Sequence, residues 1–219
     1  MRPLKHGYTN RTVADARTVV KRYEGPDADS RMERERLMLD GLRAAVPVPP
    51  VLGKRGGALE LGLVAGTPGQ ELMETDRAAD AMRSCGRVLR RIHDQGTDLL
   101  GSDVDGQVLV HGDFGPNNLL LDPVTCEVTA VVDWEFAHVG DPVEDLAWCE
   151  WIVRTHHPDR IDTVDGFFAA YAGPVPDWPI RKAAMLTRCA QLEAFCRRRD
   201  SGGPAVRQWQ RRAAATAAW

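Results

Sequence analysis

From Val108 to Phe136 the chain reads VLVHGDFGPNNLLLDPVTCEVTAVVDWEF, and no other stretch constrains the fold as much. The apolar run at residues 108–110 ends in a polar loop, and a second run at 119–121 leaves that loop. The chain then turns at Asp122-Pro123 and returns as residues 128–132. Apolar runs this short, bounded by turn residues, predict strands rather than helices. If the last two pair as a hairpin, Asn118 and Asp133 stand together at its open end. The loop between His111 and Asn118 then carries Asp113 to the same place.

One aspartate, one amide and a second carboxylate converging on a point suit phosphoryl transfer. Mg²⁺ takes hard oxygen ligands, commonly one or two carboxylates beside substrate phosphates. Asp133 and the carbonyl oxygen of Asn118 supply such a set. Asp113, off the metal, is placed to orient an acceptor hydroxyl and take its proton. The alternative is that Asp113, Asn117 and Asn118 only cap a tight turn. Three groups meeting by geometry favour the chemical reading.

The front of the chain reads as β-rich. Residues 4–6, 12–14 and 18–23 are expected strands, broken at Gly7, Asn10 and Asp15. Residues 30–43 are an expected helix, with Ser30 and Glu33 as a capping box and Met32, Leu39 and Leu42 on its apolar side. Residues 59–64 are a further expected strand, and Gly66-Thr67-Pro68-Gly69 an expected linker. Helices dominate thereafter. Met82, Cys85, Leu89 and Ile92 define one over residues 76–93, and Asp141-Pro142 with Glu144 cap the start of another. Residues 180–199 look helical as well. The expected organisation is α+β: a β-rich lobe, residues 1–65, joined to a helical lobe, residues 66–219.

Composition limits the function. The 219 residues, 43% hydrophobic and 27% charged, are ordinary for a folded domain with one large core or two lobes around a cleft. A net charge of −3 and the lack of a basic arm argue against a nucleic-acid partner. No apolar run approaches the roughly 20 residues of a membrane span. The opening MRPLKHGYTN does not resemble a signal peptide. Five cysteines without C-x-x-C spacing point to reduced thiols and a cytoplasmic setting.

A kinase also needs a cation over its phosphates. Lys21 sits among apolar neighbours in TVVKRY, and Glu35 lies between Met32 and Leu39 on the apolar side of the helix. An unpaired carboxylate there is costly, and a Lys21–Glu35 pair removes the problem for both. Position alone equally allows Lys21 to snorkel to solvent. The Gly7-Tyr8-Thr9-Asn10 turn is either a plain hairpin or a cover of backbone N–H groups for phosphates.

At HGDFGPNN followed by VVDWE, the sequence resembles the aminoglycoside phosphotransferase and choline kinase-like family, which shares the protein-kinase fold. The GYTN turn, VVK, RERLMLDGL, VPVPPVL, LVAG, LRRIH and GDPVEDLAW extend the resemblance over nearly the whole chain. It implies a two-lobed kinase-like fold and transfer of a γ-phosphate from ATP or GTP, with Mg²⁺, to a hydroxyl of a small molecule such as an antibiotic. By the resemblance Asp113 is the catalytic base, and Asn118 and Asp133 are the metal ligands. Lys21 holds phosphate, Glu35 is its partner, and Gly7, Thr9 and Asn10 lie over the phosphates. Gly62 and Val64 belong to the hinge that holds the purine beside Leu61. His111 and Asp145 brace the loop, and His93 is a core histidine. Gly115 two residues after Asp113, Asp-Trp-Glu at residues 133–135, and no room for a long activation loop before Asp141 argue against a protein substrate.

The acceptor is the open point. Residues 1–150 are net acidic and residues 151–219 net basic. A polycationic aminoglycoside would prefer an acidic pocket. Trp148, Trp151 and Trp178 offer flat surface for a neutral or weakly charged acceptor, such as a nucleoside antibiotic, with Glu193 and Arg197 nearby; Glu144 and Glu150 supply the competing negative charge. A nucleotide-binding regulator without turnover and a metal-dependent hydrolase are the readings of other classes.

Overall fold

The computed structural model describes residues 2–3, 10–101 and 104–219. Its first part is an antiparallel sheet in the order β1-β2-β3-β5-β4, formed by Arg2–Pro3, Arg11–Ala14, Thr18–Arg22, Ala58–Gly62 and Val51–Arg55 respectively. Lys21 on β3 faces Thr12 on β2 and Leu59 on β5. Strand alternation buries Lys21 and leaves Arg22 exposed. Helix α1, Ala28–Leu42, packs Met32, Met38, Leu39 and Leu42 into the core beneath this sheet. The expected strand at residues 4–6 lies outside the described residues.

Helix α1 begins earlier than its sequence suggests, and the Ser30–Glu33 capping box does not form. Asp27, in a left-handed conformation (φ 54°), starts the helix, and its carbonyl accepts the Arg31 N–H. Glu33 instead pairs outward with Arg36 and Lys54. Strand β4 escaped the sequence reading because LGKR, with its glycine and two cations, is an exposed edge with no apolar alternation.

The expected linker is also structured. Thr67–Pro68 forms β6, which pairs with β8 (Leu119–Leu121), and Gly69–Leu72 forms a short helix, α2. Helix α3, Ala78–His93, fully buries Met82, Cys85, Leu89 and Ile92. It lies close against α5, Thr163–Tyr171: a side chain at Gly86 would stand 2.3 Å from the Phe167 carbonyl. Strand β7, Val108–Val110, pairs with β10, His138–Gly140, and β8 pairs with β9, Val128–Val131. Helix α4, Val143–His156, opens with the expected box: Val143 N–H donates to Asp141 Oδ1, and Asp141 N–H to Glu144 Oε1. Helices α6, Trp178–Arg199, and α7, Pro204–Ala217, close around α4, burying Trp148, Trp151, Ile152, Met185 and Cys189 together. Among the described residues no helix is long and apolar enough to cross a membrane.

Candidate active site

The loop after β7 is held from below by one carboxylate. Asp145 of α4, fully buried, accepts the His111 N–H at 2.7 Å and the Gly112 N–H at 2.9 Å. Its third partner is His93 Nε2 at 3.2 Å, whose Nδ1 meets the Tyr171 hydroxyl. Burial alone would raise the Asp145 carboxyl; the His93 contact, the nearby histidines and the backbone N–H donor hold it below the usual carboxylate range. The loop passes through Gly112 at φ +81°, where a Cβ would stand 2.5 Å from the Phe136 carbonyl, so only glycine fits. His111 Nδ1 then accepts the Asp113 N–H, and its Nε2–H donates to the Val132 carbonyl. This fixes the tautomer and ties the loop to the strand leading into Asp133.

Asp113 is oriented from both sides. Trp148 Nε1–H donates to Oδ1 at 2.8 Å, and Asn118 Nδ2 donates to Oδ2 at 2.9 Å and to the Asp113 carbonyl at 2.7 Å. Burial pushes the Asp113 carboxyl above its ordinary range, against the opposing Arg188 charge and the Trp148 hydrogen bond. A basic carboxylate in a fixed orientation is what proton abstraction from a hydroxyl requires. The hairpin pairs as expected: the Val132 N–H donates to the Asn118 carbonyl, so Asn118 and Asp133 share its open end.

Asp133 turns back toward the sheet at φ +70°, an uncommon conformation for a non-glycine residue and one that marks functional turns. Its carboxylate meets Lys21 Nζ, which also contacts Glu35 Oε2 at 2.5 Å. The Tyr23 hydroxyl donates to the same Glu35 oxygen at 2.6 Å. Burial works against the Lys21 charge, but Asp133, Glu35 and Glu135 overturn it and hold the ammonium well above its ordinary range. The pairing expected for Lys21 and Glu35 is therefore present, and snorkelling is not.

Glu135, buried at 1% exposure, accepts from Arg31 Nη1 at 2.6 Å and Asn10 Nδ2 at 2.7 Å. The Asn10 side chain thus reaches the Asp-Trp-Glu turn, while Gly7 and Thr9 lie outside the described residues. Carboxylate oxygens of Glu35, Asp133 and Glu135 lie within 4.8 Å of one another. Lys21 and Arg31 balance two of these three charges. Glu35 and Glu135 are engaged by Lys21, Tyr23, Arg31 and Asn10, so it is Asp133, sharing the hairpin's open end with Asn118, whose oxygens fit a divalent cation such as Mg²⁺. Gly62 lies at the end of β5, where its N–H donates to the Pro50 carbonyl, and partly exposed Val64 follows two residues later.

The acceptor candidates fare differently. Trp148 is in the site, but at 3% exposure it holds Asp113 rather than offering an open face. Trp151 stacks on Trp148 and donates to Thr216 Oγ1 inside the helical core, so it presents no free platform. Glu193 and Arg197 pair with each other one turn apart on α6, with Gln210 also donating to Glu193, and neither is brought to Asp113. Sequence reasoning missed Arg31, Glu135 and Arg188. None carries a local pattern, although Glu135 beside Asp133 was a hint.

The family described as "Phosphotransferase enzyme family" (APH) matches residues 1–106 and 98–184. Acyl-CoA dehydrogenase family member 10 of Mus musculus is 52% identical over 103 residues, 38% of this chain and 10% of that protein. Aminoglycoside 3'-phosphotransferase of Streptomyces fradiae is 52% identical over 40 residues, 18% of this chain and 15% of that protein. The chain thus spans a small fraction of the length of the curated relatives it matches. Among solved structures, the GDP complex of aminoglycoside 2'-phosphotransferase-IIIa has a TM-score of 0.76 at 14% identity, over 99% of this chain and 92% of that one. Macrolide 2'-phosphotransferase MphH from Brachybacterium faecium has a TM-score of 0.66 at 20% identity, over 98% and 91%. With the family match covering most of its residues and the kinase-like fold shared, the chain belongs to the phosphotransferase enzyme family.

Proposed function

We propose that the chain is a small-molecule O-phosphotransferase, taking the γ-phosphoryl group of ATP or GTP to an acceptor hydroxyl. The observation that carries this reading is the meeting of an oriented, basic Asp113 with the Lys21–Glu35–Asp133 chain at the junction of sheet and helices. In this reading Asp113 accepts the proton of the acceptor hydroxyl as the new P–O bond forms. The bond from the γ-phosphorus to the nucleoside diphosphate breaks, and the diphosphate leaves. Lys21 holds the phosphates and Glu35 holds Lys21. Asp133 and Asn118 hold Mg²⁺, which when bound neutralises charge on the phosphate oxygens. The purine lies against Gly62 and Val64, while the turn that carries Asn10 lies over the phosphates. His111 and Asp145 keep the loop in place.

On this reading residues 1–65 carry the nucleotide and residues 66–219 the acceptor, in the cytoplasm where nucleoside triphosphates are made. The acceptor is neutral or weakly charged, because the helical part nearest it is net basic. The similar structures are of aminoglycoside and macrolide phosphotransferases, so an antibiotic panel is the natural first screen. The decisive experiment is release of nucleoside diphosphate with and without acceptor, in wild type and Asp113→Asn. The variant should lose about 10²–10⁴-fold in turnover with nucleotide affinity kept. Unchanged turnover would remove Asp113 from the mechanism.

A further inference from the structure

A cavity of about 290 Å³ opens beside the Asp113 loop, lined by Gly112, His138, Glu144, Thr187, Arg188 and their neighbours. Two of its three ionisable groups are already occupied. His138 Nε2 meets Glu144 Oε2 at 2.9 Å, His138 Nδ1 meets the Phe136 carbonyl, and Glu144 Oε1 accepts the Asp141 N–H. The third is different. Arg188 gives only Nη1 to a neighbour, Gln191 Oε1 at 3.1 Å. Its Nε and Nη2 are buried and have no hydrogen-bond partner among the described residues.

The guanidinium is nevertheless held in place. It lies 5.0 Å from the Phe136 ring and 5.9 Å from the Trp148 ring, the same indole that orients Asp113. Nε and Nη2 form the side edge of the guanidinium, the fork that receives both oxygens of a planar oxyanion. Buried donors without partners are uncommon and call for an explanation. Arg188 lines the cavity, so a cation there would meet its positive charge, whereas an anion would offer the two unpartnered donors the acceptor they lack.

We propose that Arg188 is a specificity residue that binds a carboxylate on the acceptor and so presents the acceptor's hydroxyl to Asp113. The substrate class is then a hydroxycarboxylate rather than a polycation. The inference deepens the phosphotransferase reading and rests on it for the role of Asp113, but not for the binding subsite. A bulky polycyclic acceptor would exceed the cavity, which is near the lower limit for small-ligand sites.

The test separates binding from turnover. Short aliphatic hydroxycarboxylates, their matched hydroxyamides and the matched amino alcohols are titrated calorimetrically into the full chain with Mg²⁺ and a non-hydrolysable ATP analogue. The carboxylates should bind about 10- to 100-fold more tightly than the amides. Arg188→Gln should erase that preference, and Arg188→Lys should keep part of it. Equal binding of carboxylate and amide by wild type, no binding of any carboxylate, or a preference that survives in Arg188→Gln would overturn the proposal. The wild-type comparison decides even if the glutamine variant does not fold. Phosphorylated product is measured in parallel by mass spectrometry with ATP. Carboxylate-selective binding without phosphorylation would sink the kinase reading and leave the subsite standing. Phosphorylation of amino alcohols with no carboxylate preference would do the reverse.

Discussion

Lys21 stands between two carboxylates, and its value to the molecule is larger than that of either contact. Both Lys21 and Glu35 are removed from water, so deleting the lysine leaves a buried carboxylate without its counter-charge. Breaking a buried pair from one side typically costs about 3–5 kcal/mol. Lys21→Ala should lower the stability to denaturant by that order and weaken productive nucleotide binding. Glu35→Ala should do the same to activity through a misplaced lysine. Urea unfolding and nucleotide-dependent turnover of both variants check this, and full activity in both would dissolve the proposed pairing. Lys21 and Glu35 were half legible as a pair: each sits at a position costly for an unpaired charge, but position equally allowed the lysine to snorkel, and the family resemblance tipped the balance. Asp113, Asn118 and Asp133 were legible because the short apolar runs fixed their register. The sequence around Trp148 suggests only a stacking surface, since nothing in a helix pattern tells which way an indole N–H points. Arg188 gave no signal at all: an arginine on a long basic helix looks like solvent-facing charge until the packing shows its buried edge.

At the scale of elements, the entry to α4 couples local structure to the site. Glu144 caps the helix through the Asp141 N–H and also meets His138 on β10. This contact holds the His138 pKa above its ordinary value, with burial opposing and the Phe136 carbonyl assisting. A histidine raised in the folded state adds stability that is complete below its unfolded pKa of about 6.5 and is lost as pH rises through the folded value. The melting temperature should therefore decline as pH rises above about 6.5, and His138→Gln should flatten that decline. A pH series of thermal melts for both proteins gives the answer; identical slopes would remove the His138–Glu144 pair as the cause. The Asp141 cap and the α3 stripe were readable because each is short-range. Strand β4, strand β6 and the true start of α1 were not. They depend on an edge position, on a partner some fifty residues away and on a left-handed Asp27, none of which leaves a periodic trace.

Across the whole molecule, the sheet and α1 meet the rest of the chain through ion pairs as well as through packing. Lys21 reaches Asp133, Arg31 reaches Glu135, and Arg198 near the end of α6 reaches Asp27 ahead of α1. A nucleotide bound at this junction should tighten it. Ligand at 100 times its Kd adds about 2.7 kcal/mol, which for a chain of this size is a rise of roughly 5–10 °C in Tm. Thermal melts with ATP should show that rise only with Mg²⁺, and Asp133→Asn should lose the part that depends on the metal. An equal rise without Mg²⁺ would count against Asp133 and Asn118 as its site. The turn at residues 133–135 has a further consequence. Asp133 and Glu135 leave it toward a strand and a helix respectively, while Trp134 between them is fully buried. That makes the segment a ruler: its letters can vary by degrees, but its length cannot. In a scan of single-residue insertions and deletions, the surface turn at residues 122–127, with Val124 77% exposed, should accept an extra residue. The three positions of the ruler should accept none, because one added residue would put both acids out of step with their partners at once.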